Sequence, residues 1–316
     1  MQIGGKTVKK RVLLIGGACT ELTMQVENLA DDNREVVAPI NYTITPGGAV
    51  SIGAVAISKL GGEAILCSAV GDDEYGKELL GFFSDLGMDT RFVKTVKGEK
   101  TALDVVSDDE YGTRRAYRST SLLGAITPDD VEEAFTCLPD AVYVTLDIPA
   151  DAAIRAAELS REKSVPAFFD GQRIPNDFPL DKLGVIDLLA LSPAATENFT
   201  GISPKDANSN LRCAVELHKT VRSKTYMFKS GVGGAFAFKG NFSYYIPYID
   251  NADERYCDLQ VPAMIVENLR SGKSVRAMRY AATVIELAAK KGGLPILSVP
   301  SETEVLRYVL ENEVEF

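Results

Sequence analysis

The stretch PGGAVSIGAVAISKLGGEAILCSAVGDDEYG, residues 46–76, decides the fold. Pro46-Gly47-Gly48 is a turn in which glycine permits positive φ and close backbone approach. The small and apolar residues after it read as a helix, capped at its C-terminus by Gly61-Gly62. Residues 63–70 then read as a buried strand, and Gly71-Asp72-Asp73-Glu74-Tyr75-Gly76 closes the unit beyond that strand's carboxyl end. In open α/β sheets ligands collect beyond the carboxyl ends of the strands. Two glycine turns framing one helix and one strand therefore point to a small-molecule site, although spacing alone equally allows two ordinary loops.

Working outward, residues 11–17 read as a first buried strand with a glycine exit. Alternating stretches at 34–39, 42–45, 92–96, 101–106 and 113–118 suggest short, half-exposed strands, with a hairpin turn at 109–112. From Ile126 onward strand and helix alternate, which implies a parallel sheet. Thr127-Pro128-Asp129-Asp130 opens one of the helices with an N-cap, proline at the first position and acids in the first turn. No linker divides the 316 residues, so a single domain is expected.

Composition narrows the function. A net charge of −10 disfavours a nucleic-acid partner, which calls for a basic face. Five scattered cysteines, with no C-x-x-C, suit a reduced, cytoplasmic protein. A single histidine, His218, leaves little scope for histidine catalysis or zinc binding. No apolar run is long enough to span a bilayer, so no membrane association is expected. The absence of G-x-G-x-x-G after the first strand disfavours a dinucleotide-binding oxidoreductase.

The order "GGAVSIGAVAISKLGG" then "GDDEYG" resembles the first signature of the ribokinase-like (PfkB) carbohydrate kinases, and the resemblance runs over roughly residues 11–310. It implies an α/β fold: three layers, α/β/α, around a mostly parallel sheet, with a small β lid from about 22–46 and 90–120. The lid is expected to cover a sugar or nucleoside and to pair with its copy in a homodimer. ATP and Mg²⁺ are the implied cosubstrate and metal. On the substrate side the resemblance assigns Glu21, Gly47, Gly48 and Arg173. On the nucleotide side it assigns Lys229, Gly231, Gly233 and Gly234. Asp258 falls within one residue of the catalytic base, and Glu197 is the acid available for the metal. Read alone, Glu21 is equally a solvated loop acid, Arg173 an ion-pair partner, and residues 229–235 a hairpin turn.

The chain departs from the family pattern at the site itself. Ile52 stands at the family's sugar-binding Asn. Arg255-Tyr256-Cys257 replaces Gly-Ala-Gly, the bare backbone that aims N–H groups at phosphate. Ser192 and Ala195 stand where Asn and Glu help to place Mg²⁺. Two functions follow: an ATP-dependent kinase with an unusual site, or a catalytically impaired descendant that binds a ligand or regulates. With side chains crowding the phosphate's place, weak or absent nucleotide binding is expected.

Overall fold

The computed structural model describes residues 9–29, 36–111, 113–229, 234–247, 254–312 and 314. Its frame is a nine-stranded sheet in the order β13-β12-β11-β10-β9-β8-β1-β4-β5. The ranges are β1 Arg11–Ile15, β4 Glu63–Gly71, β5 Asp89–Val96, β8 Ala141–Thr145, β9 Ala167–Gly171, β10 Val185–Leu191, β11 Arg222–Lys229, β12 Gly234–Lys239 and β13 Phe242–Pro247. Every pairing from β11 to β5 is parallel, and β12 and β13 add an antiparallel edge.

Such a sheet must be covered on both faces. Val12 and Leu14 of β1 pack into one apolar layer, with α1 (Ala49–Lys59), α7 (Gln260–Ser271) and α8 (Ser274–Lys291). Leu13 and Ile15 point to the other, with α3 (Pro128–Ala134), α4 (Ala150–Lys163) and α6 (Ala207–Thr220). Alternate residues of one strand thus feed two cores, giving the three layers α/β/α. The predicted cap of α3 is present as a reciprocal pair between Thr127 and Asp130.

α1 packs closely against its neighbours. A Cβ added at Gly53 would lie 3.1 Å from Tyr143, 3.2 Å from Pro262 and 3.3 Å from Leu14. Gly48 precedes the helix at φ 84°, and a side chain there would meet the Gly17 carbonyl oxygen at 2.5 Å. The glycine turn is therefore needed for chain packing in its own right.

Four strands form a second, small sheet in the order β3-β2-β6-β7: β2 Cys19–Val26, β3 Asn41–Gly47, β6 Leu103–Asp109 and β7 Arg114–Tyr117. Its hairpin turns at Asp109, whose carboxylate accepts the amides of Tyr111 and Thr113. The boundaries expected for the lid need correction. Residues 92–96 belong to β5 in the large sheet, where they pair in parallel with β4. Residues 36–39 form no strand, and 34 and 35 lie outside the described residues. Half-exposed alternation marks the edge strand of a large sheet as readily as a strand of a small one, which is why β5 was assigned to the lid.

Candidate functional site

Strands of the large sheet end in a group of charged side chains, and the small sheet supplies more. β9 ends in Asp170, which is 1% exposed. Its carboxylate holds the Lys229 ammonium, from the end of β11, at 2.8 and 3.0 Å and accepts the Tyr143 hydroxyl at 3.1 Å. Lys229 is itself 1% exposed. Burial pulls its ammonium towards lower values, but Asp170 and then Asp258 outweigh this and hold it above the usual lysine value. Its donors are directed at these two acids inside the protein.

Asp258 sits at the end of a 3-10 turn, Glu254–Leu259, that runs directly into α7. It is 8% exposed, and among the described residues its Oδ1 has no hydrogen-bond partner. Two cations stand off from it: Lys229 at 3.9 Å from Oδ1 and Arg173 at 3.9 Å from Oδ2. Of the three side chains expected to crowd this place, that of Arg255 lies outside the described residues, and Tyr256 and Cys257 turn inward. Both are 2% exposed and face the apolar layer of α1 and α8, and Tyr256 donates to the Gly293 carbonyl. Apolar burial draws these two side chains away from the cleft. The backbone closes into a helical turn that continues into α7.

Arg173 lies in the turn after β9. Desolvation lowers its guanidinium's value, and Asp258 and Asp147 more than offset this. Asp147, just past β8, accepts the Thr145 hydroxyl at 2.6 Å, and burial pushes its carboxyl upward. From the small sheet come Glu21, 3.7 Å from Arg114, and Asp104, 3.9 Å from Arg118. Burial, then Asp104, raises the Cys19 thiol well above its ordinary value.

The substrate-side assignments thus divide. Glu21, Arg173 and Asp258 belong to this charged group. Gly47 lies beside it, where an added Cβ would be 2.7 Å from Glu21 Cβ and 3.1 Å from Cys19 Sγ. Ile52 is buried in the α1 layer. On the nucleotide side, Lys229 is internal, Gly231 and Gly233 lie outside the described residues, and Gly234 starts β12 against the Ile246 carbonyl. Glu197 is exposed on α5 (Pro193–Thr200), while Ser192 is spent capping that helix. Among the described residues, no group of three or more His, Cys, Asp or Glu side chains is placed to hold a metal ion. The acidic-glycine turn is also occupied: Asp73 caps α2 (Glu74–Asp85) and accepts the Thr101 hydroxyl.

Sequence reasoning missed Asp104, Asp147 and Arg118. A signal existed for two of them. Asp104 sits at a buried position of an alternating strand, and Asp147 follows the strand whose carboxyl end faces the cleft. Arg118 carried none.

A polar group at the carboxyl ends of parallel strands, beneath a second small sheet, is the arrangement of a small-molecule site. Comparison with known proteins accords with it. The chain is 22% identical to a bifunctional ribokinase/ribose-5-phosphate isomerase A of Fructilactobacillus sanfranciscensis, covering 96% of this chain but only 57% of that protein. It is 24% identical to a ribokinase of Haemophilus influenzae, over 87% of this chain and 90% of the relative. The solved structure of Arabidopsis thaliana ribokinase with ribose and ATP superposes with a TM-score of 0.81 at 22% identity, covering 95% of this chain and 98% of that one. The sequence profile of the pfkB family of carbohydrate kinases matches residues 9–253, and the chain belongs to that family.

Proposed function

We propose that the chain transfers a phosphoryl group from ATP to a hydroxyl of a sugar-like or nucleoside ligand held between the small sheet and the ends of the central strands. The observation that carries this reading is Asp258: a buried carboxylate with one oxygen that has no hydrogen-bond partner among the described residues, beside the Lys229 and Arg173 cations. Such an oxygen accepts a ligand hydroxyl and takes its proton as the hydroxyl attacks. Arg173 and Lys229, each 3.9 Å away, keep positive charge beside the reacting oxygens, a role preorganised cations serve in phosphoryl transfer. None of these residue roles passes through a metal ion.

A second reading, a ligand-binding protein with impaired transfer, also has an observation in its favour. The 254–259 turn runs into α7 without a break, and Leu259 holds helical angles there with no side-chain cap. An interrupted, glycine-lined helix start would fan N–H groups at an anion; a continuous spiral does not. Phosphoryl transfer from ATP across a panel of sugars, sugar acids and nucleosides, for wild type and Asp258→Asn, separates the two. The kinase reading expects turnover that drops about a hundredfold or more in the variant. Absence of turnover with retained ligand binding establishes the second.

The same site reading includes a homodimer formed through the small sheet and a cytoplasmic location. Tyr42 (63%), Ile44 (47%) and Tyr117 (65%) leave unusual apolar exposure on its edge strands β3 and β7. Sedimentation at micromolar concentration should give a dimer that Tyr117→Lys converts to monomer; a wild-type monomer refutes it.

A further inference from the structure

Arg255-Tyr256-Cys257 puts side chains on the turn that carries Asp258, where bare backbone was expected. The geometry of the turn gives one of them a task. Residues Glu254–Leu259 form a 3-10 helix, in which positions three apart share a face. Tyr256 and Leu259 therefore lie on one face, and both belong to the apolar layer of α1 and α8. Asp258 lies on another, towards the Lys229 and Arg173 cations. A small rotation of the turn about its axis would carry the Asp258 carboxylate away from both. Leu259, where the turn passes into α7, has no side-chain cap to oppose that rotation.

Tyr256 opposes it at both ends of its side chain. Its ring is buried in the apolar layer, and its hydroxyl donates to the Gly293 carbonyl oxygen at 2.9 Å. Gly293 lies in the turn after α8 at φ 80°, behind Gly292 at φ 71°. Ser298, in the short helix Pro295–Ser298, donates to the carbonyls of Gly292 and, at 2.9 Å, of Leu294. Two hydroxyls thus hold three successive carbonyls. Ser298 takes the outer two from within the same segment, and Tyr256 takes the middle one from the Asp258 turn. The hydroxyl is what tyrosine adds to phenylalanine, and here it is spent on a segment 37 residues away.

We propose that Tyr256 is a positioning residue: its hydroxyl latches the 254–259 turn to the carbonyl row at 292–294 and fixes the orientation in which Asp258 meets a ligand hydroxyl. This rests on the reading of Asp258 as the base. Tyr256 is then an anchor that replaces bare backbone, not damage to the site.

Tyr256→Phe keeps the ring and removes the latch, and Ser298→Ala removes the other hydroxyl from the same carbonyl row. Hydrogen exchange of the free protein reads the latch without ligand or turnover. Tyr256→Phe should speed exchange of the amides at 256–260 at least about tenfold, whereas Ser298→Ala should confine any increase to 292–298. With ATP and the fastest acceptor among sugars, sugar acids and nucleosides, Tyr256→Phe should lower kcat about tenfold or more and leave the acceptor KM within about twofold. Ser298→Ala should keep kcat within about twofold of wild type. Unchanged exchange at 256–260 in Tyr256→Phe overturns the proposal. So does an unchanged kcat, or an equal loss of kcat in both variants, which makes the two hydroxyls general packing groups. A wild type without turnover removes the base reading of Asp258 but not the latch, which exchange then decides alone.

Discussion

Asp170 and Asp258 flank the same lysine, yet one is saturated and the other open. Asp170 binds the Lys229 ammonium with both oxygens, accepts the Tyr143 hydroxyl and accepts the Gln172 amide. Asp258 has its two cations at 3.9 Å and an oxygen with no partner. A buried polar network that is complete rigidifies the structure, whereas an incomplete one is costly unless something else fills it. The contrast separates a charge centre that holds the strand ends together from one whose bonding is incomplete.

The sharpest way to break this contrast is Lys229→Met. Removing one partner of a buried ion pair strands the other charge, and the expected loss is about 3–5 kcal/mol in urea unfolding. A loss under about 1 kcal/mol would mean that the Asp170 centre is not structural. Next in size, Gly53→Val in α1 should cost about 1–3 kcal/mol by overpacking. Its side chain would press on Tyr143, whose hydroxyl completes the saturated centre. A neutral result would show that α1 can shift away.

Thr101→Val probes another fully bonded acid. Desolvation raises the Asp73 carboxyl, but the Thr101 hydroxyl and the amides of Gly76 and Thr101 outweigh it and hold it below its ordinary value. A carboxyl lowered on folding contributes its stability in full above the unfolded value and loses it as pH falls through the folded one. The variant should lose about 1–2 kcal/mol near neutral pH. That penalty should shrink below about pH 4, as Asp73 is protonated. A penalty independent of pH would assign the effect to Thr101 packing alone. Smallest is the effect of Asp258→Asn on stability, expected within about 1 kcal/mol because Oδ1 has no hydrogen bond to lose. A large loss would move Asp258 into the structural class.

Much of the architecture was legible because it is written in local patterns. The β1–α1–β4 unit, the α3 cap and the parallel strand–helix alternation each follow from neighbouring residues: apolar period, glycine at a turn, a Thr-Pro-Asp-Asp helix start. The position of Asp258 at the entrance of α7 was likewise reachable by counting from the helix end. Strand β5 was misassigned because alternation describes exposure and leaves the pairing partner undetermined.

Tertiary structure alone decided the character of the site. Lys229 and Asp170 lie 59 residues apart, and nothing in either local sequence announces that they neutralise one another. Tyr256 and Cys257 looked like obstacles in a phosphate loop, yet the apolar layer beneath α8 draws them inward. Arg118 sits on an ordinary strand exit, and only the fold of the small sheet brings it within 3.9 Å of Asp104. Burial and pairing of charges depend on which distant segments pack together, so the sequence by itself determined the scaffold and packing determined which charges were left unsatisfied.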